Sequence, residues 1–149
     1  MGARALRRGG LPALGLLAAL AAPAPAGARA ACAEPAAVRM VLSPRMPYAL
    51  LEWRRMRRAA EDAGFRVSAL RDPRVPDEEW QAAVRAVDLP ELADAPLLDE
   101  PTGRALGLLH HAPSSMVERC GTRHPWPILG VMPDAAWLGL LRQRAGTLK

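Results

Sequence analysis

All 15 acidic residues of this 149-residue chain lie after Ala31, whereas four arginines, Arg4, Arg7, Arg8 and Arg29, lie before it. The first ten residues carry three of those arginines and no acid, and residues 11–22 form an apolar run of Leu, Ala and Gly broken only by Pro12. Small residues follow, with Ala-x-Ala sites at 24–26, 26–28 and 28–30. Charged, then apolar, then small is the order of a secretory signal peptide, and about twelve apolar residues fall short of the roughly 20 that span a bilayer. Residues 1–30 are therefore expected to be a removed export signal. A lipid anchor on Cys32 is disfavoured, because Arg29 stands where such sites carry Leu or a similar residue.

This division decides how the composition reads. Without the four leading arginines the formal charge falls from +5 to +1, so the basic excess belongs to the signal. The aromatic residues are few and scattered: Trp53, Trp80, Trp126, Trp137, Tyr48 and Phe65. A stacking platform for nucleic acid needs several rings close together, which excludes that class. Arginine is used almost to the exclusion of lysine, as in a GC-rich bacterial genome, where an exported protein is expected in the periplasm. The remaining 119 residues suffice for one modest core.

Apolar patterning predicts the elements. Residues 36–42 (AAVRMVL) read as a buried strand. Residues 48–63 read as a helix with Ala49, Trp53, Met56, Ala60 and Ala63 on one face and Arg54, Arg55, Arg57 and Arg58 on the other, stopped by Gly64. Residues 65–70 alternate as a second strand, and Asp77 is placed to cap a helix through Val87. A short helix over 101–106 precedes a third strand at 114–120 and a tight turn at Gly121-Thr122. Residues 125–131 return as a proline-bearing edge strand, and Pro133 opens a last helix that ends before Gly146.

This β-α-β-α-β-β-α order resembles the thioredoxin-like superfamily, and two motifs strengthen the likeness. Ser43-Pro44-Arg45-Met46-Pro47-Tyr48-Ala49, at the junction of first strand and first helix, is similar to the Ser-Pro-x-Cys-Pro-Tyr-Cys of many thiol-disulfide oxidoreductases. His111-Ala112-Pro113-Ser114 resembles the loop whose cis-proline leads into the family's hairpin, with Pro113 as that proline. The resemblance implies an α/β domain over 38–146, a mixed four-stranded sheet with helices on both faces, and an N-terminal arm at 31–37. It also places Met46 and Ala49 at the two cysteine positions. A thioether cannot ionise and an alanine cannot resolve a mixed disulfide, so thiol chemistry is expected to be absent. The family's groove between helix start and proline loop would here be lined by Met46, Pro47, Tyr48, His111, Ala112 and Pro113.

The same resemblance sets the end of the third strand beside the start of the first, which would bring Cys32 and Cys120 within reach of a disulfide. Closing a loop of that length contributes about 4–5 kcal/mol in the chain-entropy model. A free Cys32 in a frayed terminus is the competing reading. Cys120 with His124 could instead form a nucleophile and base, but no third group orients the histidine. His110, His111 and His124 lack the spacing of a metal site. The arginine face of the first helix reads as solvated, with Glu61 and Asp62 placed to pair with Arg57 and Arg58.

The sequence thus predicts a redox-inactive binding or assembly module with no cofactor, no nucleic-acid partner and no stable membrane insertion once the signal is removed. Its partner would be a periplasmic protein or peptide. An accessory part of a cell-envelope machine, such as a conjugative transfer system, is the alternative, and an enzyme using Cys120 a more distant one. Intact mass of the exported protein should show a chain beginning near Ala31 that takes two thiol labels only after reduction. Rapid labelling of Cys120 in the native protein would contradict the bridge.

Overall fold

Side-chain alternation along the first strand, β1 (Ala37–Leu42), sets the two layers of the structure. The computed structural model describes residues 33–46 and 48–148. Val38, Met40 and Leu42 enter one apolar cluster, while Val41 enters a second on the opposite face. β1 is also paired on both edges, parallel with β2 (Arg66–Arg71) and antiparallel with β3 (Ser114–Arg119). A strand buried on both faces needs an almost continuous apolar run, which Met40-Val41-Leu42 supplies. β4 (Thr122–Arg123) and β5 (Ile128–Leu129) pair with the far edge of β3.

The larger cluster lies beneath α1 (Trp53–Asp62), α2 (Asp77–Ala86) and α4 (Asp134–Thr147), through Trp53, Met56, Trp80, Val84, Trp137 and Leu141. The smaller gathers Val41, Leu70 and Met116 from the sheet with Leu98, Leu108 and Leu109 around α3 (Glu100–Ala105). Asp99 caps α3 by accepting from the Thr102 amide at 3.0 Å. Two buried tryptophans carry polar handles that are satisfied. Trp80 donates to the Leu92 carbonyl at 3.0 Å, and Trp137 to the Ser115 hydroxyl at 3.2 Å.

Several boundaries differ from the sequence expectation, each for a local reason. The first helix begins at Trp53, not at residue 48, because Tyr48 has φ 72 and cannot belong to a right-handed helix. The chain reaches Trp53 through turns, including Trp53 N–H to Leu50 O at 3.2 Å. Asp77 is the first helical residue of α2 and not its cap; Pro76 holds the cap position, and the Asp77 carboxylate pairs with Arg71. α4 continues through Gly146 to Thr147, whose hydroxyl donates to the Arg144 carbonyl at 2.8 Å. Of the expected edge strand at 125–131 only Ile128–Leu129 pairs, as β5, while the unexpected β4 forms ahead of it, with Pro125 and Pro127 in the gap between the two. Both pieces lie along one edge, so the sheet has four rows although it has five strands. The hairpin turn centres on Cys120-Gly121, both with positive φ, and not on Gly121-Thr122.

Trp137 is fully buried where α4 meets the sheet. Trp137→Ala is expected to lower unfolding free energy by about 3–5 kcal/mol in chemical denaturation, from lost burial and the cavity left behind.

Candidate functional site

The β1–α1 connection is built on Ser43, which is buried at the end of β1. Its carbonyl accepts the Met46 amide at 3.2 Å, and Met46 in turn accepts the Ala49 amide at 3.3 Å. These turns leave Ala49 fully buried, Met46 half-buried and Tyr48 63% exposed. Pro47 lies outside the described residues. An open groove of about 290 Å³ runs beside this loop, with Met46, Tyr48 and Leu51 on one wall and Ala83 and Ala86 of α2 and the following Val87 on the other.

The loop before β3 is the second feature. The Ala112–Pro113 peptide is cis. His111 is exposed, Ala112 half-buried and Pro113 buried. The Pro113 carbonyl accepts the Gly130 amide at 2.8 Å, and the Ser114 hydroxyl donates to Leu108 O at 3.4 Å, which fix the loop to its neighbours. His111, Ala112 and Pro113 do not line the groove of Met46 and Tyr48; that groove is completed by α2.

Between the two loops lies a charged network that hydrophobic patterning does not signal. Asp72, only 1% exposed, follows β2, and its amide donates to Leu42 O at 3.0 Å. Arg74 donates to its carboxylate from the backbone amide at 3.0 Å, from Nε at 2.9 Å and from Nη2 at 2.7 Å. Arg74 also donates to the Leu109 carbonyl. Burial alone would raise the Asp72 pKa. The hydrogen bonds from Arg74 and the Ser43 hydroxyl, with the Arg74 charge, outweigh it and hold the carboxyl below its ordinary value. Alongside, Arg45 forms a two-pronged pair with Glu79 of α2 at 2.8 and 2.6 Å. The short Asp-Pro-Arg spacing at 72–74 is the one local trace of this network in the sequence.

The remaining sequence candidates resolve differently. Cys120 is disulfide-bonded, so it offers no thiol for the nucleophile reading; Cys32 lies outside the described residues. The strand register sets Glu118 opposite Ala37, which brings the Cys120 turn to the start of β1. His124 accepts the Trp126 amide on Nδ1 at 3.1 Å and shapes the turn between β4 and β5. On α1, Arg57 pairs with Glu61 at 2.8 Å, Arg54 with Glu91 at 3.2 Å, and Arg55 with Glu52 and Asp134. Three arginines of its basic face are thus paired with the four acids Glu52, Glu61, Glu91 and Asp134.

No protein-family model and no curated protein matches the sequence. Solved structures do match the fold. A protein of Neisseria meningitidis assigned as a thioredoxin aligns with TM-score 0.51 at 17% identity, covering 76% of each chain. A thiol:disulfide interchange protein of the thioredoxin family from Chlorobium tepidum aligns with TM-score 0.52 at 13% identity, covering 75% of this chain and 81% of its own. The domain has a thioredoxin-like fold.

A carboxyl whose folded pKa lies below the unfolded value adds stability above the unfolded value, and that stability is lost as pH falls through the folded one. Unfolding free energy should accordingly drop as pH falls below about 4, the ordinary Asp value. Asp72→Asn should reduce stability at neutral pH by about 2–3 kcal/mol and flatten that acid limb in denaturation curves. An unchanged acid limb would assign it to other carboxylates.

Proposed function

We propose that the chain is an exported, redox-inactive protein of thioredoxin-like fold that binds a protein or peptide partner. The observation carrying this reading is the chemistry at the β1–α1 junction, where Met46 and Ala49 stand at the two positions that the resemblance assigns to thiols. A thioether has no proton to lose and a methyl group no lone pair to attack with, so neither half of a disulfide exchange can begin there. What this end of the molecule does present is Tyr48 and Leu51, both well exposed, with Met46 beside an open groove. Adaptable and amphipathic side chains of this kind suit contact with an extended, partly apolar segment.

Export is supported by the disulfide at Cys120, a bond that persists in oxidising compartments, together with the signal-like order of residues 1–30. Within the chain, Cys32 is the one other cysteine, and the bridge is proposed to join the two. No helix among the described residues is long and apolar enough to cross a membrane.

Dithiol-driven disulfide reduction tests the redox half of the reading. The wild-type protein is expected to run at the uncatalysed rate, whereas Met46→Cys/Ala49→Cys should form a bridge under oxidising conditions. Turnover by the wild type would overturn redox inactivity, and a folded double variant that never oxidises would overturn the alignment at this loop. A photo-cross-linking residue at Tyr48 should capture a discrete partner in the exported fraction that the same residue at Arg104 on α3 does not. Equal capture from both positions would remove the binding role from this surface.

A further inference from the structure

We infer that the segment bound beside Met46 and Tyr48 is an extended peptide of mixed character, with apolar side chains in the groove against α2 and an acidic side chain at Arg58. The inference deepens the binding role proposed above and rests on it. Two open cavities meet at Leu51, which is 66% exposed in the turn before α1. The first is the groove already described, where the small side chains of Ala83 and Ala86 let a peptide come close to α2. The second is a cleft of about 530 Å³ along the outer face of α1, lined by Arg54, Arg55, Arg58 and Asp62, with Asp134 of α4. A segment that crosses Leu51 therefore passes from an apolar surface to a charged one.

Ion pairing decides which charge the cleft favours. Arg55 is engaged by Glu52 and Asp134, and Arg54 by Glu91 and the Asp88 carbonyl. Arg57 pairs with Glu61, but the expected pairing of Arg58 with Asp62 does not form. Arg58 is exposed, and its five donors have no partner among the described residues. All three lining guanidiniums stand within about two helical turns of Leu51, whereas Asp62 stands a further turn away. The charge first met beyond Leu51 is thus positive, and a carboxylate is its complement. Leu51 and Arg58 are seven residues apart, about 10 Å at the helical rise, which an extended chain covers in about three residues. Because His111, Ala112 and Pro113 do not line the groove, this segment lies on the α2 side of the Met46 loop.

Selection of random twelve-residue peptides displayed on phage, with the full exported chain as bait, tests the assignment. Selected peptides should carry aliphatic or aromatic residues with Asp or Glu two to four positions away. Arg58→Glu should raise the Kd of a synthesised winner about tenfold or more, as expected for loss of a charge-assisted hydrogen bond. A repeat selection on Arg58→Glu should keep the apolar residues and lose the acidic one. Arg58→Gln, which introduces no new charge beside Asp62, should weaken binding in the same direction. Winners without an acidic preference, or indifferent to both Arg58 variants, would overturn the inference; if Leu51→Ser still abolished their binding, the binding role would stand. Failure to select any peptide that depends on Leu51 or Tyr48 would overturn both.

Discussion

Burial of β1 on both faces and pairing on both edges is the constraint from which the rest of the structure follows. Its parallel partner β2 must be reached by a crossover, which α1 supplies, and its antiparallel partner β3 must come from the far side of the α2–α3 segment. Every apolar helix face then has a defined destination. α1, α2 and α4 close over Val38, Met40 and Leu42, and the α3 region closes over Val41. Exchanging the faces of β1 by a one-residue slip would place Arg39, now paired with Glu118 at 2.8 Å, where Met40 is sealed.

The end of the sheet at Leu42 and Arg71 is where polar chemistry gathers. Two strands stop there side by side, and the backbone groups beyond them need partners that the sheet no longer provides. Ser43, Asp72 and Arg74 supply them, and the same groups hold the loops that carry Met46, Tyr48 and His111. In a dithiol enzyme this region would hold a reactive thiolate. Here the positions that the resemblance assigns to thiols carry a thioether and a methyl group, at Met46 and Ala49.

Much of the fold was legible because it rests on periodicity and local turn chemistry. The β1 run, the apolar stripe Trp53-Met56-Ala60 and the stop at Gly64, whose φ is 87, follow from strand alternation, helix spacing and the freedom of glycine. The helix start at Trp53 was not legible, since nothing in Pro47-Tyr48 announces that Tyr48 takes a left-handed conformation. The last edge of the sheet was half legible: Pro125 and Pro127 marked an edge, but not that pairing would start at Thr122 and lapse until Ile128.

The sequence by itself determined that the first loop carries no cysteine, with Met46 and Ala49 at the positions that the resemblance assigns to thiols. It also determined the order of elements, since each depends on side chains only a few positions apart. Only the tertiary structure decided that Met46 and Tyr48 face α2 across a groove, and that Asp72 is sealed between two loops with Arg74. Those arrangements join Asp72 to Leu42 and Arg74 to Leu109, and no periodicity links positions that far apart. They exist because two strands end together and leave buried polar groups that must find partners.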